Sequence, residues 1–188
     1  MRCFVALDPP VAVARHLTEL VAPLRGRYDV KWVPPDQMHL SLLFAGDLPP
    51  GDLDRLAAIV RELPLSPLAL RLQHLGHFPP RGIPQVLFAG LASEPRLTAL
   101  HAALLAATAP LQLPRDKRAF TPHLTLGRVR SHFGVLALVD RLRALGDELK
   151  PKPFSPTGLT LYTSLLRPDG ADHRAVVRRP LPPVDATP

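Results

Sequence analysis

At 188 residues, 46% of them hydrophobic and only one a cysteine, the chain is long enough to bury a core without a disulfide framework, because Cys3 has no intramolecular partner. The formal net charge of +7, carried mostly by arginine, favours an anionic partner and suits phosphate recognition through the planar guanidinium fork. No apolar run approaches a membrane span and no signal-peptide pattern opens the chain, so the expectation is a cytoplasmic protein with no membrane partner.

In chain order, Arg2 to Asp8 reads as an opening strand closed by Pro9-Pro10. Val11 to Arg25 then carries helical apolar spacing through Val13, Leu17, Leu20, Val21 and Leu24. A proline-bearing connector, Trp32 to Asp36, leads to an alternating strand over Met38 to Phe44. Asp52 to Leu63 is predicted helical, with Leu53, Leu56, Ile59, Val60 and Leu63 on one face. Leu65 to Phe78 reads as a strand ending in His74 and His77. At that spacing the two point to opposite faces, which disfavours a metal pair.

Gln85 to Leu91 is a further strand, and Pro95 to Ala109 an alanine- and leucine-rich helix in which His101 reads as structural. A basic loop with Arg115, Lys117 and Arg118 precedes a strand over Pro122 to Arg128; a solvated loop and a phosphate contact are equally compatible with it. Phe133 to Leu149 is predicted as an amphipathic helix. Leu159 to Leu166 and Arg174 to Arg179 form a hairpin around Pro168-Asp169-Gly170. The 24 prolines fall between these segments and punctuate loops.

Two of the strands repeat one pattern. Met38-His39-Leu40-Ser41-Leu42-Leu43-Phe44 returns as Pro122-His123-Leu124-Thr125-Leu126-Gly127-Arg128, each reading His, apolar, hydroxyl, apolar. On a strand, His39 with Ser41 and His123 with Thr125 share one face, and the leucines share the other. Imidazole gives or takes a proton near neutral pH, so two such strands facing each other would form a two-histidine acid/base site. The similar halves suggest an internal duplication about a pseudo-twofold axis. Arg128 would face away from His123 on a regular strand, unless a bulge at Gly127 turns it.

Together with the opening Arg2-x-Phe4-x-Ala6-Leu7-Asp8-x-Pro10 and the late Leu161-Tyr162-x-Ser164, these motifs resemble the two-histidine (2H) phosphoesterase superfamily. Within it, the resemblance is to the LigT-like RNA 2',3'-cyclic phosphodiesterases, also called 2'-5' RNA ligases. It spans nearly the whole chain. It implies an α+β fold over residues 1–188, a single bilobal domain in which two antiparallel sheets line a central cleft with helices outside.

It further implies His39 and His123 as the catalytic acid/base pair, with His39 the acid and His123 the base, although the symmetrical pattern allows the reverse. Ser41 and Thr125 are implied as hydroxyl donors to the phosphoryl oxygens. Phe120 is a candidate base-stacking platform, with core packing as the alternative, and Arg128 a candidate substrate contact. The expected reaction is metal-independent opening of an RNA 2',3'-cyclic phosphate end, or of a cyclic nucleotide, to a 2'-phosphomonoester, by a monomer with no cofactor. The alternatives are ATP-independent 2'-5' ligation of tRNA halves and a non-catalytic RNA or nucleotide binder.

Overall fold

The computed structural model describes residues 2–114, 118–149, 152–167 and 170–184. Arg115 and Lys117 of the basic loop, and Pro168 and Asp169 of the hairpin turn, lie outside them. The strands are β1 (Arg2–Asp8), β2 (Val30–Trp32), β3 (Leu40–Asp47), β4 (Leu70–Phe78), β5 (Val86–Leu91), β6 (His123–Val129), β7 (Pro153–Phe154), β8 (Gly158–Arg167) and β9 (Gly170–Pro180). The α-helices are α1 (Val11–Leu20), α2 (Pro50–Glu62), α3 (Pro95–Ala107) and α4 (Val135–Gly146).

Two sheets form. One is ordered β3-β1-β8-β9 and the other β2-β6-β5-β4-β7, and every pairing in both is antiparallel. The expected α+β architecture with two antiparallel sheets is therefore present. The motif strands belong to different sheets, β3 at an edge of the first and β6 inside the second, and they approach each other.

Apolar periodicity explains the layers. β1 buries Cys3, Val5 and Leu7 on one side, and β6 buries Leu124 and Leu126. The helices contribute stripes at three- and four-residue spacing: Leu56, Ala57 and Val60 on α2, Leu97, Leu100 and Leu104 on α3, and Val135, Leu138, Val139 and Leu142 on α4. α2 packs on β8 and β9, and α4 packs on β4. Arg179 of β9 donates to the carbonyls of Val60 and Leu63 at the end of α2 and satisfies them there.

Several boundaries differ from the sequence expectation. The first helix stops at Leu20 and tightens into a 3-10 turn, Ala22–Leu24, because Pro23 has no N–H to donate and its ring would strike the preceding turn. α3 ends at Ala107, ahead of Pro110, and a 3-10 turn follows over Ala109–Leu111. α4 starts at Val135 and not at Phe133, since Gly134 holds φ +70° and breaks the right-handed path. Trp32 lies in a short edge strand and not in a loop.

A two-histidine candidate active site

His39 immediately precedes β3, and its ring stacks on Phe4 of β1, with centroids 4.7 Å apart and planes at 30°. Phe4 also stacks on Tyr162 of β8, at 5.1 Å. His123 opens β6, set edge-on to Phe78 at 5.0 Å and tilted against Phe88 at 5.3 Å. Each imidazole thus rests on aromatic rings of its own sheet. The two rings lie close enough that charge on His123 opposes charge on His39.

The two rings are held in the same way. His39 Nδ1–H donates to the Gln37 carbonyl at 2.8 Å, and His123 Nδ1–H donates to the Thr121 carbonyl at 2.7 Å. Both acceptors lie two residues upstream. A carbonyl can only accept, so each Nδ1 carries the proton and each Nε2 is left to exchange one with a substrate.

Both motif strands then bulge at the same place. Ser41 lies opposite Ala6 and Leu43 opposite Val5, so Leu42 is an extra residue on β3. Thr125 lies opposite Phe88 and Gly127 opposite Leu87, so Leu126 is an extra residue on β6. Each bulge reverses the alternation beyond it. Phe44 and Arg128, five residues after their histidines, therefore return to the histidine face. Phe44 is 58% exposed although strict alternation would bury it, and Arg128 lies near enough to His123 to disfavour its protonation.

Burial dominates the acid–base state of the two imidazoles. It pushes His39 down to about 4, opposed by the Gln37 hydrogen bond and reinforced by the neighbouring His173. His123 is also held below the ordinary histidine range, by burial first and then by Arg128, against the Thr121 hydrogen bond. The charged neighbours differ in sign: the Asp8 carboxylate favours charge on His39, whereas Arg128 opposes it on His123. Asp8 is itself fixed, accepting from Thr160 Oγ1 and from the Tyr162 hydroxyl, each at 2.7 Å, with Arg178 Nη2 at 3.5 Å.

Sequence reading did not find Phe4, Asp8, Phe44, Phe78, Phe88 or His173 as site residues. Asp8 and Phe4 lay in a quoted motif, but only the sheet pairing brings them beside His39. Phe44 was hidden by the bulge. Phe120 lies face to face on His101 of α3, 3.9 Å away and 9° from parallel, and packs on the core. Among the described residues no three His, Cys, Asp or Glu side chains are grouped to hold a metal ion. No helix among them is long and apolar enough to cross a membrane.

A family-wide sequence profile, described as the 2'-5' RNA ligase superfamily, matches residues 9–167. The chain belongs to this superfamily. It is 33% identical to an RNA 2',3'-cyclic phosphodiesterase of Archaeoglobus fulgidus over 130 residues, which is 69% of this chain and 73% of that protein. A protein of the same description from Thermus thermophilus is 33% identical over 167 residues, 81% of this chain and 84% of its own. Among solved structures, a Thermus thermophilus protein superposes with TM-score 0.75 at 29% identity, covering 96% of this chain and 98% of that one. Escherichia coli LigT, solved with 3'-AMP, superposes with TM-score 0.77 at 21% identity over 96% and 98% of the two chains. The superfamily fold is thus the LigT-like one that the motifs resemble.

Proposed function

We propose that the protein is a cytoplasmic, monomeric hydrolase, one two-lobed domain, that opens RNA 2',3'-cyclic phosphate ends to 2'-phosphomonoesters. The observation that carries this reading is the matched pair of imidazoles, each locked through Nδ1 to a main-chain carbonyl with Nε2 presented to one cleft. In-line displacement at phosphorus needs a base on one side and an acid on the other, and little else beyond donors for the growing charge.

His123 Nε2 takes a proton from water as the water oxygen bonds to phosphorus. The bond from phosphorus to the 3'-oxygen breaks, and His39 Nε2–H protonates that oxygen, leaving a 3'-hydroxyl and a 2'-phosphate. Burial holds both rings below the ordinary histidine range, so one must gain a proton as the phosphodiester anion enters. The Asp8 carboxylate beside His39 favours charge there, against the burial and the neighbouring His173 that push this ring down to about 4, and Arg128 opposes charge on His123. His39 as acid and His123 as base is the assignment that the family resemblance implies.

The hydroxyls of Ser41 and Thr125, on the faces of their histidines, donate to the non-bridging oxygens, and Arg128 pairs with the phosphate. Phe120 already carries His101 on one ring face, so the open ring of Phe44 is the better platform for the terminal base. The scheme uses no metal or other cofactor.

The superfamily description supports a second reading, in which a 5'-hydroxyl replaces water and the same site forms a 2'-5' linkage. Both readings are tested by turnover of a cyclic-phosphate-ended oligonucleotide in the presence of chelator. Opening to a 2'-phosphate, reduced about 10²–10⁴-fold in both His39→Ala and His123→Ala, is expected. RNA binding without opening would sink the hydrolase reading, and joining to an added 5'-hydroxyl strand would replace it.

A further inference from the structure

Along the β2–β6 ladder Val30 lies opposite Val129, Lys31 opposite Arg128, and Trp32 opposite Gly127. Directly opposed residues share a face. Val30, Trp32 and Val129 pack on the core, and a Cβ on Gly127 would meet Val30 Cγ1 at 2.6 Å and Trp32 Cε3 at 3.1 Å. Lys31 and Arg128 therefore project side by side from the other face, the one on which Arg128 reaches His123.

Like charges directly opposed on a sheet are destabilising. Among the described residues neither cation is in an ion pair, although five other arginines find carboxylates. Asp29, which precedes β2, receives only the main-chain N–H of Arg130 on its carbonyl, at 2.8 Å. Arg130 follows just beyond the end of β6 and is exposed, and Phe133 comes next in the same segment, 92% exposed. A row of unneutralised cations ending in an open aromatic ring is the pattern that single-stranded nucleic acid fits, with phosphates on the cations and a base on the ring.

We propose that Lys31, beside Arg128 on the β2–β6 edge, forms a second phosphate subsite for the nucleotide upstream of the cyclic end, with Arg130 and Phe133 continuing the track. This rests on the cyclic phosphodiesterase reading of the cleft and narrows its substrate class to single-stranded oligoribonucleotides. A bound phosphodiester relieves the repulsion between Lys31 and Arg128, so the strand itself completes this edge of the sheet.

The test compares kcat/KM for a cyclic-phosphate-ended oligoribonucleotide with that for the corresponding cyclic mononucleotide, in wild type, Lys31→Met and Lys31→Arg. Wild type is expected to favour the oligonucleotide. Lys31→Met should lower that preference about tenfold through KM, and Lys31→Arg should restore it. Equal loss on both substrates, or no length preference in the wild type, would overturn the proposal.

If neither substrate is opened, the cleft reading fails and the subsite is read separately, by salt-dependent binding of a fluorescently labelled oligoribonucleotide. A log–log salt slope shallower by about 0.7 in Lys31→Met supports the subsite, and an identical affinity and slope overturns it. Displacement of the RNA as readily by an acidic peptide as by unlabelled RNA would assign the edge to protein, and would also overturn it.

Discussion

His173 of β9 meets His39 edge to face, with ring centroids 5.4 Å apart and planes at 89°. The same ring touches Phe4 at 5.0 Å, so His173 covers the aromatic layer on which His39 rests. A charge on either imidazole opposes a charge on the other. Replacing His173 with Phe keeps the bulk and removes the charge, so the His39 pKa should rise from its depressed value near 4. NMR titration of the His39 ring reads this directly, and a fall in its pKa would show that His173 stabilises the imidazolium instead.

The depressed His39 pKa also ties stability to pH. The folded protein holds His39 near 4 against an ordinary 6.5, so between those values the unfolded chain binds more protons. Stability is then full above pH 6.5 and falls as pH drops toward 4, by up to about 3 kcal/mol from this one group. Urea midpoints across that window should decline in the wild type and decline less in His39→Gln. A variant with the wild-type slope would assign the acid sensitivity to other groups.

Gly127 and Gly90 are both crowded, but by different neighbours. A methyl at Gly127 would press on Val30, Trp32 and the Lys31 carbonyl, which belong to the sheet and its core. Gly127→Ala is expected to cost about 1–3 kcal/mol and to disturb the bulge that turns Arg128. A methyl at Gly90 would come within 2.3 Å of the His74 ring, an exposed side chain that can swing aside, so Gly90→Ala should cost less than about 1 kcal/mol. Thermal unfolding of the two variants checks the ranking.

Asp8 anchors the first sheet's share of the site. Asp8→Ala leaves Thr160 and Tyr162 without their acceptor and leaves Arg178 with the Tyr162 hydroxyl alone, so a loss of about 1–3 kcal/mol is expected. Tyr162→Phe removes one donor from a carboxylate that keeps two partners and should cost about 1 kcal/mol or less. If Asp8→Ala unfolds no earlier than Tyr162→Phe, the carboxylate is not what fixes this cluster.

Alternation and helical spacing were enough to recover β1, β3, β6 and the four helices, because each buries a regular apolar stripe. β2 and β7 were not legible, since three and two residues give no period to read. The repeated motif made His39, Ser41, His123 and Thr125 recognisable as site candidates. Arg128 needed the bulge to face the cleft, and the placement of a bulge is decided by the pairing partner, not by the strand's own residues. His173 and Asp8 reach His39 from strands far away in the chain, so no local spacing marks them. Phe120 is claimed by His101, a contact between a loop and a helix that no periodicity foretells.

The acceptors that fix the two imidazoles are main-chain carbonyls, at Gln37 and Thr121. Any residue placed at 37 or 121 brings the same oxygen. The tautomer of both imidazoles is therefore insulated from substitution at both positions, and drift there between related sequences leaves it unchanged. A change in backbone path, such as an inserted residue between 37 and 39, would reach it at once.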